Sequence, residues 1–269
     1  MVSEYAVKSM NVKGKVALIT GVAGPAGIGF ASAKRLGQEG AILAIADVSN
    51  EVDERARELR ALGAQVTPFK LDITKLSEVT AMVESLLKER GRIDILANIA
   101  GLGPRGKSFS LGKLFVDMTE EEWDNQIAVN LKTTFNCIKA VLPTMIRQRY
   151  GRIVNMSSVT GTNVSDPAAA AYSAAKAAIS GLTKALALEV TGYGITVNAI
   201  CPGWIDTGRE LERKAGLASP MKRAGKPDEV ANLVLFLASD ESSYMSGHEI
   251  VVDGANTLQE YKGEGELVF

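Results

Sequence analysis

Short apolar segments alternate with longer helical patterns along almost the whole chain, and this alternation limits the fold more than any other feature of the sequence. Seven segments rich in β-branched and other apolar residues indicate strands. They cover residues 16 to 20, 41 to 47, 64 to 72, 93 to 100, 151 to 157, 194 to 202 and 248 to 254. Most of them are too apolar to leave one face in water, which is typical of central strands in a parallel sheet.

Helical patterns fill the intervals between these strands. They lie at about residues 27 to 39, 51 to 62, 75 to 90, 119 to 149, 168 to 191 and 227 to 239. Parallel neighbours need right-handed crossovers, so the alternation predicts an α/β fold with a doubly wound seven-stranded parallel sheet and helices on both faces. Because no linker, low-complexity tract or internal repeat interrupts the pattern, we expect residues 1–269 to form a single domain.

Two segments without a strand or helix pattern each follow a strand. Residues 101 to 118 contain four glycines, a proline and three basic residues, and residues 204 to 226 likewise have the character of a loop. Ligands of doubly wound sheets bind outside the carboxyl ends of the strands, so both loops are predicted to form the walls of a substrate site. Their basic side chains could meet an anionic or polyhydroxylated substrate, or could simply be solvated. The candidates among them are Arg105, Lys107, Arg209 and Arg213.

Charge and cysteine content exclude several classes of protein. Thirty Lys and Arg against 31 Asp and Glu give a net charge of −1, which offers no attraction for nucleic acid or an anionic membrane. The two cysteines, Cys137 and Cys201, are too few for a disulfide framework or a structural zinc site. The sequence has neither the apolar core of a signal peptide nor an apolar run of about 18 residues, so we expect a cytoplasmic protein.

A glycine-rich turn follows the first strand and leads directly into a helix. Its sequence is GVAGPAGIGF, from Gly21 to Phe30. Glycine lets the backbone approach a phosphate closely, and the first helical turn offers unpaired N–H groups to an anion. Gly21, Gly27, Ile28 and Gly29 are therefore candidates to contact the diphosphate of a dinucleotide. A tight strand-to-helix turn without a ligand is the alternative.

Asp47 ends the second predicted strand, 18 residues after Gly29. A carboxylate at this place would accept hydrogen bonds from an adenosine ribose and would repel a 2′-phosphate. Residues 48 to 50, Val-Ser-Asn, supply no basic group to offset that repulsion. The sequence therefore favours NAD(H) over NADP(H). As the alternative, Asp47 would cap the helix that begins near Glu51.

Tyr172 and Lys176 lie four residues apart in an alanine-rich helical pattern, which places them on one face of the helix. A tyrosine has a pKa of about 10 in water, and a neighbouring ammonium favours its phenolate form. The pair is therefore a candidate for acid/base catalysis. An ordinary surface pair is the alternative.

Together with further motifs, these residues resemble the classical short-chain dehydrogenase/reductase family along nearly the whole chain. The resemblance implies a Rossmann fold, hydride transfer between a nicotinamide cofactor and a small-molecule substrate, and assembly as a homotetramer. The markers that carry it occur in the family's order. They are the glycine turn after Thr20, Asp72, the segment Asn98-Ile99-Ala100-Gly101, Asn130, Ser158, YSAAK from Tyr172 to Lys176, and PGWIDT from Pro202 to Thr207.

The resemblance implies a catalytic set of four residues. Tyr172 would be the general acid/base, and Lys176 would lower its pKa and hold the nicotinamide ribose. Ser158 would bind the substrate oxygen, and Asn130 would anchor a water molecule in a proton relay. No metal is implied, because Tyr172 and Ser158 would polarise the oxygen that a metal ion polarises in other enzymes.

The resemblance also assigns residues to the cofactor NAD. Asp72 would meet the adenine amino group, and Ile205 with Thr207 would line the nicotinamide amide. Asn98 would support the central strand near the cofactor, and a purely structural role is equally compatible. The full set implied for the cofactor, beyond the glycine turn and Asp47, is Asp72, Ile73, Asn98, Ala100, Gly101, Tyr172, Lys176, Pro202, Ile205 and Thr207.

The sequence departs from the family pattern near two of these motifs. Gly21 and Gly27 enclose five residues where the family usually has three, which predicts a two-residue insertion beside the diphosphate. Ser158 precedes Tyr172 by 14 residues instead of the usual 13 or so. Ser157 is therefore a rival, although the following Val-Thr-Gly favours Ser158.

The sequence leaves the substrate open. Our first expectation is a small secondary alcohol such as a polyol or a sugar acid, and the second is a 3-oxoacyl thioester reduced with NADPH. A dinucleotide sensor without catalysis would have no reason to combine Ser158, Tyr172 and Lys176. A related enoyl reductase would space its Tyr and Lys more widely.

Further expectations concern assembly and the remaining charged groups. The small residues of the helix at 168 to 191 would permit close packing, and with the helix at 227 to 239 it is predicted to form a two-fold interface. The final residues, 261 to 269, are predicted to dock on the protein, on this subunit or a neighbouring one. Glu120, Glu121 and Glu122 are predicted to be first-turn helix charges, and His248 to be structural.

Overall fold

Seven parallel strands form one sheet in the computed structural model, which describes residues 10–101 and 113–259. The strands are β1 (Val16–Thr20), β2 (Ile42–Asp47), β3 (Val66–Lys70), β4 (Ile95–Asn98), β5 (Gly151–Met156), β6 (Ile195–Pro202) and β7 (Glu249–Val252). Their order is β3-β2-β1-β4-β5-β6-β7. The predicted fold, a doubly wound parallel sheet of the Rossmann type, is confirmed.

Helices cover both faces of the sheet. They are α1 (Ile28–Gln38), α2 (Glu51–Ala61), α3 (Leu76–Arg90), α4 (Glu120–Ile127), α5 (Thr133–Gln148), the single irregular turn α6 (Val159–Thr162), α7 (Ala170–Val190), α8 (Glu210–Gly216) and α9 (Pro227–Ala238). Successive side chains of a strand point to opposite faces, and β1 supplies both cores. Its Ile19 packs in the cluster that contains Leu36 and Val234, whereas its Leu18 packs with Val83 and Val141.

The helical pattern predicted at 119 to 149 forms α4, one wider turn and α5 in unbroken succession. Thr119 caps α4, because its hydroxyl accepts a hydrogen bond from the amide of Glu122 while that carboxylate accepts one from the amide of Thr119. The acidic residues thus occupy the first turn of a helix, as predicted. At Ala128–Lys132 the backbone widens into a single π turn, which the sequence pattern did not indicate.

The segment at 204 to 226 is not purely a loop, because α8 forms within it. Of the other predicted wall, residues 102 to 112, including Arg105 and Lys107, lie outside the described residues, as does the predicted docking segment at 261 to 269. His248 is exposed just before β7, where its backbone amide donates to Asn198 at 3.2 Å. None of the helices in the described ranges is long and apolar enough to cross a membrane.

The strand order reverses between β1 and β4, which opens a crevice at their carboxyl ends. Thr20 fixes this edge of the sheet. Its hydroxyl accepts hydrogen bonds from the amides of Ile99 and Ala100, at 3.0 and 3.1 Å, and so ties the end of β1 to the chain leaving β4. In the sequence, Thr20 was recognised only as the last residue before the glycine turn, and this role was not predicted.

Candidate active site

A cleft of about 890 Å³ lies along the carboxyl ends of the strands and brings most of the predicted site residues together. This volume is suited to a small organic ligand. Among the residues predicted for the site, those that line the cleft are Gly21, Gly27, Ile28, Gly29, Asp47, Asp72, Ile73, Ala100, Gly101, Ser158, Tyr172, Lys176, Pro202, Ile205 and Thr207.

Asn98 is the predicted cofactor residue that stands apart from the cleft lining. Its side chain is buried, and its amide group donates to Asn155 on the neighbouring strand β5 at 2.9 Å. Asn155 in turn donates to Thr183 at 3.0 Å. These bonds connect β4, β5 and α7 beneath the cleft, which favours the structural role of Asn98.

The glycine turn brings α1 against the end of β1 at a distance that only glycine permits. Gly21 has a φ of +74°, and a Cβ added to it would lie 2.7 Å from the Cα of Ala100. A Cβ on Gly29 would lie 2.2 Å from the carbonyl oxygen of Gly21. Side chains at these two positions would therefore force the backbone apart.

The predicted insertion forms a turn of its own. The amide of Gly27 donates to the carbonyl of Gly24 at 2.9 Å, and the two residues between them, Pro25 and Ala26, are exposed. A Cβ placed on Gly208 would be 3.9 Å from the Cβ of Ala26. The inserted turn thus reaches across to the segment that follows β6.

The amino terminus of α1 is suited to an anionic ligand. Gly27 is its N-cap residue, no side chain caps the helix, and its first turn contains no acidic residue. Ile28 and Gly29 of that first turn line the cleft. The glycine turn and the uncapped amides of α1 therefore fit the diphosphate of a dinucleotide.

Two aspartates form the far end of the cleft. Asp47 accepts hydrogen bonds from the amides of Ala23 and Ser49, at 2.9 and 3.0 Å, so it is tied to the glycine turn. The first amide of α2 donates to the Ser49 hydroxyl instead, which speaks against Asp47 as the cap of that helix. At Asp72, the hydrogen bond from the Thr74 hydroxyl, 2.6 Å long, holds the carboxyl pKa below its usual value.

Tyr172, Lys176 and Ser158 meet in the middle of the cleft. Tyr172 and Lys176 lie on α7, with 7% and 3% of their surface exposed. The side chain of Ser158, just after β5, interacts with the Tyr172 phenol and lowers its pKa, and it accepts a bond from the amide of Thr160 at 3.1 Å. The Ser157 hydroxyl instead donates to the Lys176 carbonyl at 2.8 Å. The structure thus places Ser158, and not its rival Ser157, beside the phenol.

Burial dominates the protonation of this pair. It raises the pKa of Tyr172 to about 12, and the hydrogen bond from Ser158 only partly opposes that rise. Burial also lowers the pKa of Lys176 to about 8. The Lys176 ammonium donates to the Met156 carbonyl at 2.9 Å and lies 5.7 Å from the centroid of the Tyr172 ring. The ammonium thus lies near the phenol, and its predicted effect on the pKa of Tyr172 stays a prediction.

Asn130 is buried behind the cleft in the π turn. Its amide group donates to the side-chain oxygen of Gln126 at 2.9 Å. The side chains of Asn130 and Lys176 approach the same space above Gly101. A Cβ on Gly101 would lie 3.0 Å from the Asn130 Oδ1 and 3.3 Å from the Lys176 Nζ. Gly101 thus leaves room where polar atoms from α7 and the π turn converge.

The wall of the cleft that follows β6 contains residues that were not predicted from the sequence. Glu212 on α8 lines the cleft and accepts hydrogen bonds from Thr207, and Trp204 lies nearby. Of the two arginines predicted there, Arg209 lines the cleft, whereas Arg213 pairs with Asp206 at 3.0 Å. Within the described ranges, no group of three His, Cys, Asp or Glu side chains is arranged to hold a metal ion.

The low pKa of Lys176 predicts a stability difference that depends on pH. The folded protein releases this proton near pH 8 and the unfolded chain near 10.5, so the unfolded state binds more protons between these values. The free energy of unfolding of the wild type, measured relative to Lys176→Met, should therefore rise by about 2 kcal/mol from pH 7 to pH 10.

Urea unfolding of both proteins across this pH range measures the rise. Lys184→Met, on the exposed side of the same helix, is the matched control and should not reproduce it. A difference between the wild type and Lys176→Met that stays constant with pH would contradict a buried, easily discharged lysine.

Comparisons with known proteins agree with this geometry. The sequence profile of the family described as Enoyl-(Acyl carrier protein) reductase matches residues 21–256. The chain is 44% identical to the Oxidoreductase UcpA of Salmonella typhimurium over 264 residues, which cover 93% of this chain and 97% of that protein. It is 43% identical to the 3-oxoacyl-[acyl-carrier-protein] reductase FabG of Thermotoga maritima, over 91% of this chain and 98% of that one.

Among solved structures, a 3-oxoacyl-[acyl-carrier protein] reductase from Brucella melitensis with bound NAD superimposes with a TM-score of 0.82. It is 37% identical, and the match covers 90% of each chain. The parallel sheet, the glycine turn and the Ser158, Tyr172 and Lys176 cluster are thus accompanied by identity well above 30% over most of the chain. The protein belongs to the classical short-chain dehydrogenase/reductase family of oxidoreductases.

Proposed function

We propose that this protein interconverts a small secondary alcohol, such as a polyol or a sugar acid, and its ketone with NAD(H). The observation that carries the proposal is the interacting pair of Tyr172 and Ser158, buried in the same cleft as the glycine turn and Asp47. A binding protein without catalysis would need the glycine turn and Asp47, but it would not need Tyr172 and Ser158.

A nicotinamide dinucleotide would be held by the glycine turn, Asp47, Lys176 and Thr207, and its ring would supply the hydride chemistry. Ser158 and Tyr172 would both bind the substrate oxygen, which orients the carbinol or carbonyl carbon. During oxidation Tyr172 would accept the hydroxyl proton, and during reduction it would return that proton to the oxygen.

Oxidation requires the Tyr172 phenolate, which burial opposes. The Lys176 ammonium would favour the phenolate as an opposite charge in a poorly hydrated site. Asn130, whose side-chain oxygen approaches the same space as the Lys176 Nζ, would continue the route of the proton away from the cleft. Both roles are proposals that rest on the convergence of these groups at Gly101.

Asp47 supports NAD(H) as the cofactor. Its carboxylate lies at the end of β2 in the cleft lining, and the neighbouring lining residues are Val48 and Ser49, which carry no positive charge. A 2′-phosphate placed beside this carboxylate would be repelled, while the two hydroxyls of an unmodified ribose could donate to it.

Asp47→Asn is expected to reduce the preference for NAD over NADP by about tenfold, as measured by the ratio of the two kcat/KM values. Loss of one repulsive contact in a partly hydrated site is worth about 1.4 kcal/mol, which corresponds to that factor. Asp53→Asn on the exposed side of α2 is the control and should leave the ratio unchanged. A wild type that already uses NADP as well as NAD would refute the role of Asp47.

A 3-oxoacyl thioester reduced with NADPH is the second candidate. The 43% identity to a 3-oxoacyl-[acyl-carrier-protein] reductase favours it. The polar part of the cleft lining favours the first candidate, because Asn125, Ser165 and Asp166 could hydrogen-bond a polyhydroxylated substrate more readily than an acyl chain.

The absorbance of reduced nicotinamide tests the proposal directly. The purified protein is assayed with NAD against a panel of secondary alcohols, polyols and sugar acids, and with NADPH or NADH against a 3-oxoacyl thioester. We expect turnover with NAD and a member of the first panel. Turnover restricted to the thioester would support the second candidate, and dinucleotide binding without turnover of any compound would support a sensor.

A further inference from the structure

Glu212 is a buried carboxylate in the cleft wall. Only 6% of its surface is exposed, although glutamate is rarely buried unless it is paired. It belongs to α8, which forms in a segment that the sequence indicated to be a loop. The proposed reaction gives this carboxylate no role, so its contacts need an explanation.

The partner of Glu212 is Thr207. The Thr207 amide lies 2.8 Å from one carboxylate oxygen, and the Thr207 hydroxyl lies 2.9 and 2.8 Å from the two oxygens. Arg209 places its guanidinium 3.5 Å from the same carboxylate. Glu212 is therefore held by two hydrogen bonds from a single residue and by one adjacent positive charge.

These contacts determine what the Thr207 hydroxyl can offer to a ligand. A carboxylate only accepts hydrogen bonds, so the hydroxyl must donate its one hydrogen to Glu212. The remaining lone pairs of the Thr207 oxygen can then only accept. Because Thr207 lines the cleft, it presents an acceptor and no donor to the ligand.

We propose that Glu212 is a positioning residue that makes Thr207 an acceptor and thereby selects the N–H side of the nicotinamide carboxamide. The inference rests on the proposed dinucleotide site. A carboxamide has a donating NH₂ group and an accepting oxygen, and a hydroxyl that can only accept pairs with the former. Glu212 thus fixes the rotation of the carboxamide without touching it. A residue that merely anchored α8 would not distinguish the two sides.

A dinucleotide analogue tests this selection. The reduced 3-acetylpyridine analogue has a methyl group in place of the carboxamide NH₂, and ADP-ribose lacks the nicotinamide altogether. Dissociation constants of NADH, the analogue and ADP-ribose are measured by the fluorescence of the protein, to which Trp204 in the cleft contributes. We expect the wild type to bind NADH about three to ten times more tightly than the analogue, the range for one hydrogen bond.

Glu212→Gln should remove this selectivity. The one glutamine oxygen would accept from the Thr207 amide, and its NH₂ group would donate to the Thr207 hydroxyl, whose hydrogen becomes free to meet a carbonyl. The ratio of the dissociation constants of the analogue and NADH should fall to about one, while ADP-ribose binding changes less than twofold. Glu210→Gln, on the exposed side of the same helix, should leave all three constants unchanged.

Thr207→Val tests the same inference by removing the hydroxyl itself, while the Glu212 carboxylate stays unchanged. It should also give a ratio near one, and the double variant should show no further loss, because both residues act through one atom. Circular dichroism melts establish that each variant is folded. Selectivity retained in Glu212→Gln, or an equal loss of NADH and ADP-ribose binding, would overturn the inference. A wild type that binds neither NADH nor ADP-ribose would overturn the proposed function itself.

Discussion

Replacing Tyr172 with Phe is expected to lower kcat by two to four powers of ten while leaving the dissociation constant of NADH within about twofold. The variant keeps the buried ring and its packing on α7 but loses the hydroxyl that interacts with Ser158. The substrate oxygen then has no group with which to exchange its proton. Steady-state assays and NADH titration measure the two effects separately.

Tyr150→Phe is the matched control for this substitution. Tyr150 also has a partly buried phenol with a single hydrogen bond, 2.9 Å to Asp240, but it is not part of the cleft lining. Its loss should reduce stability by about 1 kcal/mol and leave kcat unchanged. If Tyr172→Phe retained most of its activity, the acid/base role would have to move to another residue.

Gly29→Ala is expected to abolish measurable dinucleotide binding, with at least a tenfold weaker affinity, and to destabilise the fold by about 1 to 3 kcal/mol. The added methyl group would lie 2.2 Å from the Gly21 carbonyl oxygen, which is backbone and cannot rotate away. Either α1 or the glycine turn must then shift, and both line the diphosphate end of the cleft. NADH titration and urea unfolding give the two quantities.

Gly181→Ala provides the comparison for the glycine substitution. A Cβ at Gly181, on α7, would meet no atom within 4 Å. Because alanine favours helix more than glycine does, this variant should be as stable as the wild type or more so, with unchanged NADH affinity. Normal NADH binding by Gly29→Ala would mean that the close approach at Gly21 is not needed for the ligand.

The sequence predicted the sheet well because its central strands are buried on both faces. β1 begins and ends where predicted, and β6 differs by one residue at its start. The edge strand β3 was predicted at 64 to 72 but covers only Val66–Lys70. Its flanking residues Gln65 and Leu71 each keep one backbone hydrogen bond to β2, at 2.8 and 3.0 Å, without extending the strand. Burial on both faces thus leaves a clear pattern, whereas the end of an edge strand does not.

The candidate site was predicted where its residues form recognisable motifs. Ser158, Tyr172, Lys176 and the glycine turn lie together in one cleft as expected. The pKa values could not be predicted in the same way, since spacing along a helix does not show how much water a side chain keeps. Burial raises the pKa of Tyr172 to about 12, an effect that the sequence did not indicate.

Glu212 could not be found from the sequence for a related reason. In the stretch ELERK it resembles any charged residue of a solvated helix, and only the folded chain turns it towards Thr207. Thr20 likewise reads as the last residue of a strand. Its contact with the amides after β4 joins positions almost 80 residues apart, and no local pattern marks such a contact.

The π turn at Ala128–Lys132 determines where a residue can be deleted from the helix that contains it. A wide turn holds one residue more than a regular helix would, and each residue advances a helix by about 100°. Deleting one of these residues would remove the extra one, restore regular winding and leave the turns downstream in place. A deletion at the regular start of α5 would instead rotate everything downstream by that angle, and Cys137, Val141 and Met145 would leave the core together. The π turn is therefore the part of this helix that can lose a residue without moving the apolar side of α5.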